Sequence, residues 1–265
     1  MFDKKNPLWM AIINLSPDSF SDSDPTNSTK KTTEKCLEFV ANGAHIIDFG
    51  GVATNPNVTN IAISPEKELS RIYTHIKEAR KVLPKNILIS VDTFSPKVAY
   101  TLAKEKLIDI INDIYAAQNQ YVINGLNLTT AHVAAEFNLG LILMHMNSPC
   151  DNSPILPMII KFLTERLSYC KEIGVKNLII DPGIGYGRFG KTFKQILELL
   201  SQESMTELCK LGVPLLIGLS RKAFHLDLDP TLINPLSRDK LSKEIELRCI
   251  QYGAHIIRTH NMNKV

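Results

Sequence analysis

The amino-acid sequence predicts an α/β fold, a TIM (β/α)8 barrel, on three observations. Short apolar runs rich in β-branched residues alternate with stretches of helical period from one end of the chain to the other. About eight such runs fit within 265 residues, the size expected of one barrel. At or just past the end of each run stands a polar or charged residue: Asn14, Asp48, Asp92, Asn112, His145, Asp181, Lys222, then Arg258 with His260. In a barrel those strand ends converge on one face, where the loops build a site.

Strands are expected at Trp9–Leu15, His45–Phe49, Ile87–Asp92, Ile108–Asp113, Gly140–His145, Leu178–Asp181, Pro214–Gly218 and His255–Thr259. Helical period is clearest at Thr32–Ala41, Pro65–Val82, Pro96–Ala103, Thr130–Phe137, Met158–Ile173, Phe193–Cys209 and Arg238–Tyr252. Ser64-Pro65 and Ser95-Pro96 are start signals, a polar cap followed by proline at the first helical position, where the missing N–H costs nothing. The polar, proline-bearing stretches Ser16–Thr29, Val52–Ser64 and Asn147–Pro157 read as long loops. None separates two composition regimes, so residues 1–265 are expected to form one domain.

Composition narrows the class. With 44% hydrophobic and 22% charged residues the chain is an ordinary globular protein. Thirty basic against 27 acidic residues, a formal charge of +3, is too even to imply a nucleic-acid surface but leaves room for small anionic ligands. The five cysteines are scattered and form no Cys-x-x-Cys pair, which argues against a disulfide framework or zinc site and fits a reducing cytosol. No apolar run approaches the roughly 18 residues that span a bilayer, so a cytoplasmic location is expected.

The motifs at the strand ends each admit a bland and a chemical account. NLSPDSFSD (14–22) follows the first strand; a Ser-Pro-Asp turn explains it, and so does Asn14 as an amide oxygen for Mg²⁺ beside a phosphate-bearing substrate. The glycines of DFGG (48–51) let the backbone pass close to a ligand or make a tight turn. SVDT (90–93) and IINDI (110–114) deliver carboxylates or amides to the mouth, suited to the donor-rich edge of a fused heterocycle. DPGIGYG (181–187) has neither the dinucleotide-binding glycine order nor a following lysine-serine, whereas Asp181 suits two parallel N–H donors from a 2-amino-pyrimidinone ring. GLSRK (218–222) and RTH (258–260) put cations past the seventh and eighth strands, where barrels commonly hold phosphate. For Lys222 or Arg221 the alternative is a solvated surface charge, and for Met144 and Met146 it is core packing.

Taken in order, NLSPDSFSD, GAHIIDFGG, SVDT, IINDI, LMHM, DPGIGYG, PLLIGLSRK and GAHIIRTH resemble the successive signatures of dihydropteroate synthase, the folate-pathway enzyme inhibited by sulfonamides, from about residue 9 to 260. The resemblance implies a pterin-binding barrel that condenses 7,8-dihydropterin-6-ylmethyl diphosphate with p-aminobenzoate and releases diphosphate with Mg²⁺ assistance. By motif position it implies that Asp92, Asn112, Asp181 and Lys222 bind the pterin, with Gly218 and Met144 lining the slot. Asn14 with the metal, Arg258 and His260 would hold diphosphate; Phe20, Thr54 and Pro56 would enclose p-aminobenzoate; Asp48 would lie between the substrates. Asp48, Lys222, Arg258 and His260 are then the expected catalytic groups.

Departures cluster on the second-substrate side. The usual GGESTRPG reads GGVATNPN, so its arginine becomes Asn55; the serine usual after SRK is Ala223; and RVHD reads RTHN. The chain stops at Val265, where the family places another helix, which leads one to expect an uncovered apolar strip at Ile256 or Ile257 and weakens the family's expectation of a homodimer. Two alternatives stand beside the synthase: a pterin-binding paralogue with weak or no turnover, and a methyltetrahydrofolate:corrinoid methyltransferase, against which SPDSFSD and GLSRK argue.

Overall fold

The computed structural model describes residues 7–15, 29–52, 63–146, 154–185 and 191–262. Its strands are β1 (Leu8–Asn14), β2 (Ile46–Gly50), β3 (Leu88–Asp92), β4 (Ile110–Asp113), a hairpin of β5 (Tyr121–Ile123) and β6 (Leu126–Leu128), β7 (Gly140–Met144), β8 (Asn177–Asp181), β9 (Leu216–Ile217) and β10 (Ile256–Thr259). Apart from the hairpin they form one parallel sheet in the order β8-β7-β4-β3-β2-β1-β10-β9. The two ends meet where Leu215, just before β9, bridges Ile180 of β8, and the Ile180 N–H donates to the Pro214 carbonyl at 3.0 Å. The sheet is therefore closed into the expected barrel.

Alternation along the strands sorts side chains into two cores. Met10, Ile46, Ile110, Ile142, Ile179, Leu216 and Ile256, with Leu8 and Leu88 packed against them, draw on all eight strands and plug the interior. The alternate, outward positions, among them Ala11, Ile47, Ile89, Ile111, Leu141, Ile180, Ile217 and Ile257, belong to the larger core beneath the helices. Those helices are α1 (Thr29–Ala41), α2 (Pro65–Val82), α3 (Pro96–Lys104), α4 (Thr130–Glu136), α5 (Ile155–Ile173), α6 (Phe193–Leu199), α7 (Gln202–Cys209), α8 (His225–Leu228) and α9 (Asp239–Gln251), the last preceded by a 3₁₀ turn (Pro235–Arg238).

Helix α2 shows how local sequence sets an element. The Ser64 hydroxyl accepts from the Lys67 N–H at 3.2 Å, Pro65 opens the first turn, Glu66 and Glu68 lie at the positive end, and Arg80 and Lys81 at the negative end. Its buried stripe, Glu68, Ile72, Ile76 and Ala79, repeats at helical spacing. Burying Ile72 and Ile76 contributes roughly 2 kcal/mol each.

Two expectations are corrected, and one element is added. Phe193–Cys209 is two helices, because the Ser201 hydroxyl accepts from the Ser204 N–H and starts α7 afresh. The β5–β6 hairpin, for which the sequence predicts no element, turns on Asn124 and Gly125, with φ of 53° and 80°. The apolar strip at Ile256 or Ile257 does not exist: Ile256 faces the barrel interior, Ile257 is fully buried, and the buried Cys249, Ala254 and Met262 share its core. No described helix is long and apolar enough to cross a membrane.

Candidate active site

Above the apolar plug the inward positions turn polar, and parity decides which side chains arrive there. In β4, Asn112 points inward and donates its amide to Asp48 Oδ2 at 3.2 Å. Its neighbour Asp113 points outward, where it accepts from the Thr130 hydroxyl at 2.6 Å and from the Tyr115 and Ala117 N–H groups at 2.8 and 3.0 Å. Burial pushes the Asp113 carboxyl up against those three bonds. It is a fastening of the β4 exit, not a site residue.

Arg258, at the end of β10, ties the centre together. Its Nε donates to Asp48 Oδ2 at 2.7 Å and its Nη2 to Asp92 Oδ2 at 2.6 Å. Burial disfavours the Arg258 charge, but the two carboxylates more than offset this and hold the guanidinium protonated. Burial likewise raises Asp92 to about 6, with Arg258 opposing and Asp48 reinforcing the shift. Asp48 is fully buried, and its Oδ1 has no hydrogen-bond partner among the described residues. An orphaned buried acceptor is costly, and a ligand N–H would satisfy it.

Across the barrel, Asp181 at the end of β8 stands in register with Met144 of β7. Its Oδ1 accepts from the Gly183 N–H at 2.7 Å. Burial raises its pKa, and the Lys222 cation is the main opposing influence. Lys222 donates to the Ile184 carbonyl. Burial brings its ammonium down to about 8 although Asp181 favours the charge. Gly183 has φ +70°, and a Cβ there would lie 2.0 Å from the His145 carbonyl oxygen, so only glycine lets the loop fold back over β7.

The walls and rim follow. Met144 packs with Ile114 and Met146 against Phe94 and Tyr115, an apolar wall whose two rings meet edge to face at 4.8 Å. A Cβ on Gly218 would lie 3.6 Å from that of Arg258, so the glycine leaves the guanidinium stem uncovered. At the rim Asn14 Nδ2 is 3.4 Å from His260 Nε2, and His260 Nδ1 is 3.2 Å from the Ser220 hydroxyl. Burial and the Arg221 and Arg258 cations drive His260 down to about 3, so it acts as a neutral imidazole. Among the described residues no three His, Cys, Asp or Glu side chains cluster as a metal cage. Asn14 at the rim offers an amide oxygen, a hard donor of the kind Mg²⁺ takes, so the residues present are compatible with that ion.

Of the residues singled out in the sequence, the structure brings Asp48, Asp92, Asn112 and Arg258 into direct contact, and couples Asp181 and Lys222 electrostatically to Arg258. Phe20, Thr54 and Pro56 lie outside the described residues, as does Asn55. Arg221 is not a solvated surface charge, since it forms a two-pronged pair with Asp239 at 2.7 and 2.8 Å. Sequence reasoning missed Lys191, only 2% exposed, whose Nζ is 3.3 Å from both Nδ1 and the carbonyl oxygen of His145. Burial takes this ammonium down to about 7, with Asp181 opposing. Its position, closing the glycine-rich DPGIGYGRFGK run just before the Thr192 helix cap, was the available signal.

Comparison with known proteins shows the family. A family model described as pterin binding enzyme matches residues 10–260. The chain is 34% identical over 267 residues to the dihydropteroate synthase of Bacillus subtilis, covering 99% of this chain and 86% of that one. Among solved structures it resembles Xanthomonas albilineans dihydropteroate synthase with 4-aminobenzoic acid, at TM-score 0.84 and 30% identity, covering 98% of this chain and 89% of the other. It also resembles the Coxiella burnetii dihydropteroate synthase in complex with pteroic acid, at TM-score 0.81 and 32% identity, covering 97% and 88%.

Proposed function

The chain belongs to the pterin-binding enzymes, among the dihydropteroate synthases, and from that premise we propose which of its groups carry the reaction. It is a transferase that condenses 7,8-dihydropterin-6-ylmethyl diphosphate with p-aminobenzoate to give 7,8-dihydropteroate and diphosphate. The observation that carries the residue assignment is the single polar layer of Asp48, Asp92, Asn112, Asp181, Lys222 and Arg258 above an apolar plug.

In this assignment the pterin enters edge-on beside Met144. Asp181 and Asp92 accept from its amino and ring N–H groups, Asn112 and the unpaired Asp48 Oδ1 complete the set, and Lys222 donates to a ring acceptor. The arylamine nitrogen forms a C–N bond to the pterin methylene as that carbon's bond to the diphosphate oxygen breaks, and the amine releases one proton. Positive charge building on the methylene is favoured by the nearby carboxylates, while Arg258 and His260 serve the departing diphosphate as donors. When bound, Mg²⁺ would neutralise charge growing on the leaving group, and Asn14 would help hold it. The arylamine is already nucleophilic, so Phe20, Thr54 and Pro56 have only to orient it and keep water out. Ala223 is exposed and brings no hydroxyl to that task.

The relatives named above are synthases, which sets aside the corrinoid methyltransferase alternative. A homodimer and a cytoplasmic location accompany the proposal through kinship. The test is a coupled assay of diphosphate release with both substrates and Mg²⁺, repeated on Lys222→Ala and Asp181→Asn. Each lost charge-assisted contact is worth roughly 1.5–3 kcal/mol, so pterin affinity should fall about ten- to a hundredfold. Unchanged affinity in both variants would refute the residue assignment.

A further inference from the structure

The geometry points to Arg221 as a positioning residue for Lys222, acting through Asp239 and not by touching either substrate. The inference rests on the synthase assignment above. Arg221 immediately precedes Lys222, yet its guanidinium is turned toward α9, donating from Nε to Asp239 Oδ1 at 2.7 Å and from Nη2 to Asp239 Oδ2 at 2.8 Å. This is the two-pronged fork in which arginine and carboxylate match best.

The backbone around it is fastened just as tightly. Arg221 has φ +59°, a left-handed conformation that a side-chain-bearing residue holds only when its surroundings impose it. Its N–H donates to the Ser242 hydroxyl at 3.3 Å, and its carbonyl accepts from Arg238 Nη1 at 2.9 Å. His225 Nδ1 is 2.7 Å from the Lys222 carbonyl, and His225 Nε2 is 3.1 Å from the same Ser242 hydroxyl. These distances fit one consistent set of roles: Nδ1–H donates to the Lys222 carbonyl, and the Ser242 O–H donates to Nε2 while accepting from Arg221.

Asp239 and Ser242 of α9, Arg238 of the preceding turn and His225 of α8 thus clamp the two residues from behind. The Lys222 stem leaves this clamp with its direction set toward Ile184 and Asp181. On the other side of Arg221, the Ser220 hydroxyl accepts from the His260 N–H at 3.2 Å, so the same short segment also steadies the rim. A long lysine side chain has many rotamers to lose, and fixing its root leaves fewer to be lost when the pterin binds.

The experiment is a titration of 7,8-dihydropterin-6-ylmethyl diphosphate, without p-aminobenzoate, into the unaltered chain and into Arg221→Ala, Arg221→Lys, Asp239→Asn and the Arg221→Ala/Asp239→Asn double variant, each with a thermal melt. Misplacing a binding group by about 1 Å can cost about a hundredfold, so both Arg221→Ala and Asp239→Asn should weaken the pterin about ten- to a hundredfold. The double variant should lose no more than the worse single one, because the two residues act as a unit. Arg221→Lys should recover only part, since lysine cannot make the fork. A direct substrate contact by Arg221 predicts instead that Asp239→Asn binds normally and that the Arg221→Ala loss persists in full beside it; either result overturns the inference. Should those variants melt too low to titrate, Ser242→Ala removes one hydroxyl from the clamp, and normal pterin affinity there would overturn it as well. If the unaltered chain bound no pterin, the synthase assignment itself would fall, and the inference with it.

Discussion

Asn112 and Asp113 are chain neighbours of similar shape that work on opposite sides of the barrel wall, one bonded to Asp48 and the other to Thr130. Strand parity explains that division once β4 is placed, whereas the sequence pointed to Asp48, Asp92, Asp181 and Arg258 only by their place at the strand ends and by the family resemblance. What parity does not reveal is pairing between residues remote in the chain. Arg258 reaches Asp48 across 210 positions, and Lys191 reaches His145 across 46. At this scale the site should respond to pH on two limbs. Asp92 offers a charged acceptor at both oxygens only when ionised, and burial has raised it to about 6; Lys222 donates a charged bond only when protonated, and burial has lowered it to about 8. The kcat/KM for the pterin substrate at saturating p-aminobenzoate should therefore fall below about pH 6 and above about pH 8. A profile flat from pH 5.5 to 9 would contradict both assignments.

Among the elements, the loop after β8 is the most constrained. Replacing Gly183 with alanine would put a methyl 2.0 Å from the His145 carbonyl oxygen at a φ of +70°. The backbone must move, at a cost on the order of 3 kcal/mol, and Asp181 loses the N–H bond that orients it. Thermal denaturation should show a fall of several degrees with pterin affinity reduced in parallel; a variant that melted and bound normally would mean the loop is free to relax. Caps were the easiest element signals to read, because Ser64-Pro65 and Ser95-Pro96 act locally and both cap their helices. The break at Leu200–Ser201 was hidden because serine is tolerated inside a helix and the apolar period runs on through it. The hairpin escaped because each strand is three residues long, its Val122 and Leu126 are exposed, and Ile123 alone is buried, too little to impose an alternation.

At the scale of the whole molecule, two glutamates are buried among the described residues, Glu68 of α2 and Glu246 of α9, and unlike the fully bonded Asp113 each has an Oε1 lacking a partner there. Burial raises both to about 7, opposed by hydrogen bonds from Thr93 and Thr259 respectively. From the ordinary glutamate range up to about 7 the folded chain holds more protons than the unfolded one. The stability these acids contribute is thus present at low pH and lost as pH rises through 7. The Glu68→Gln/Glu246→Gln variant should lose less stability between pH 5 and 8 than the unaltered chain, as measured by denaturant melts; an equal loss would show that these acids do not titrate there. Barrel closure is the other property of the whole. Where β9 meets β8 the join is a single bridge at Leu215 and one N–H bond, against five paired residues between β7 and β8. This is the weakest seam in the wall, and Asp181 and Lys222 stand on its two lips. A bicyclic guest grasped by both would act as a clasp across it, so that occupancy of the mouth and closure of the cylinder become one equilibrium.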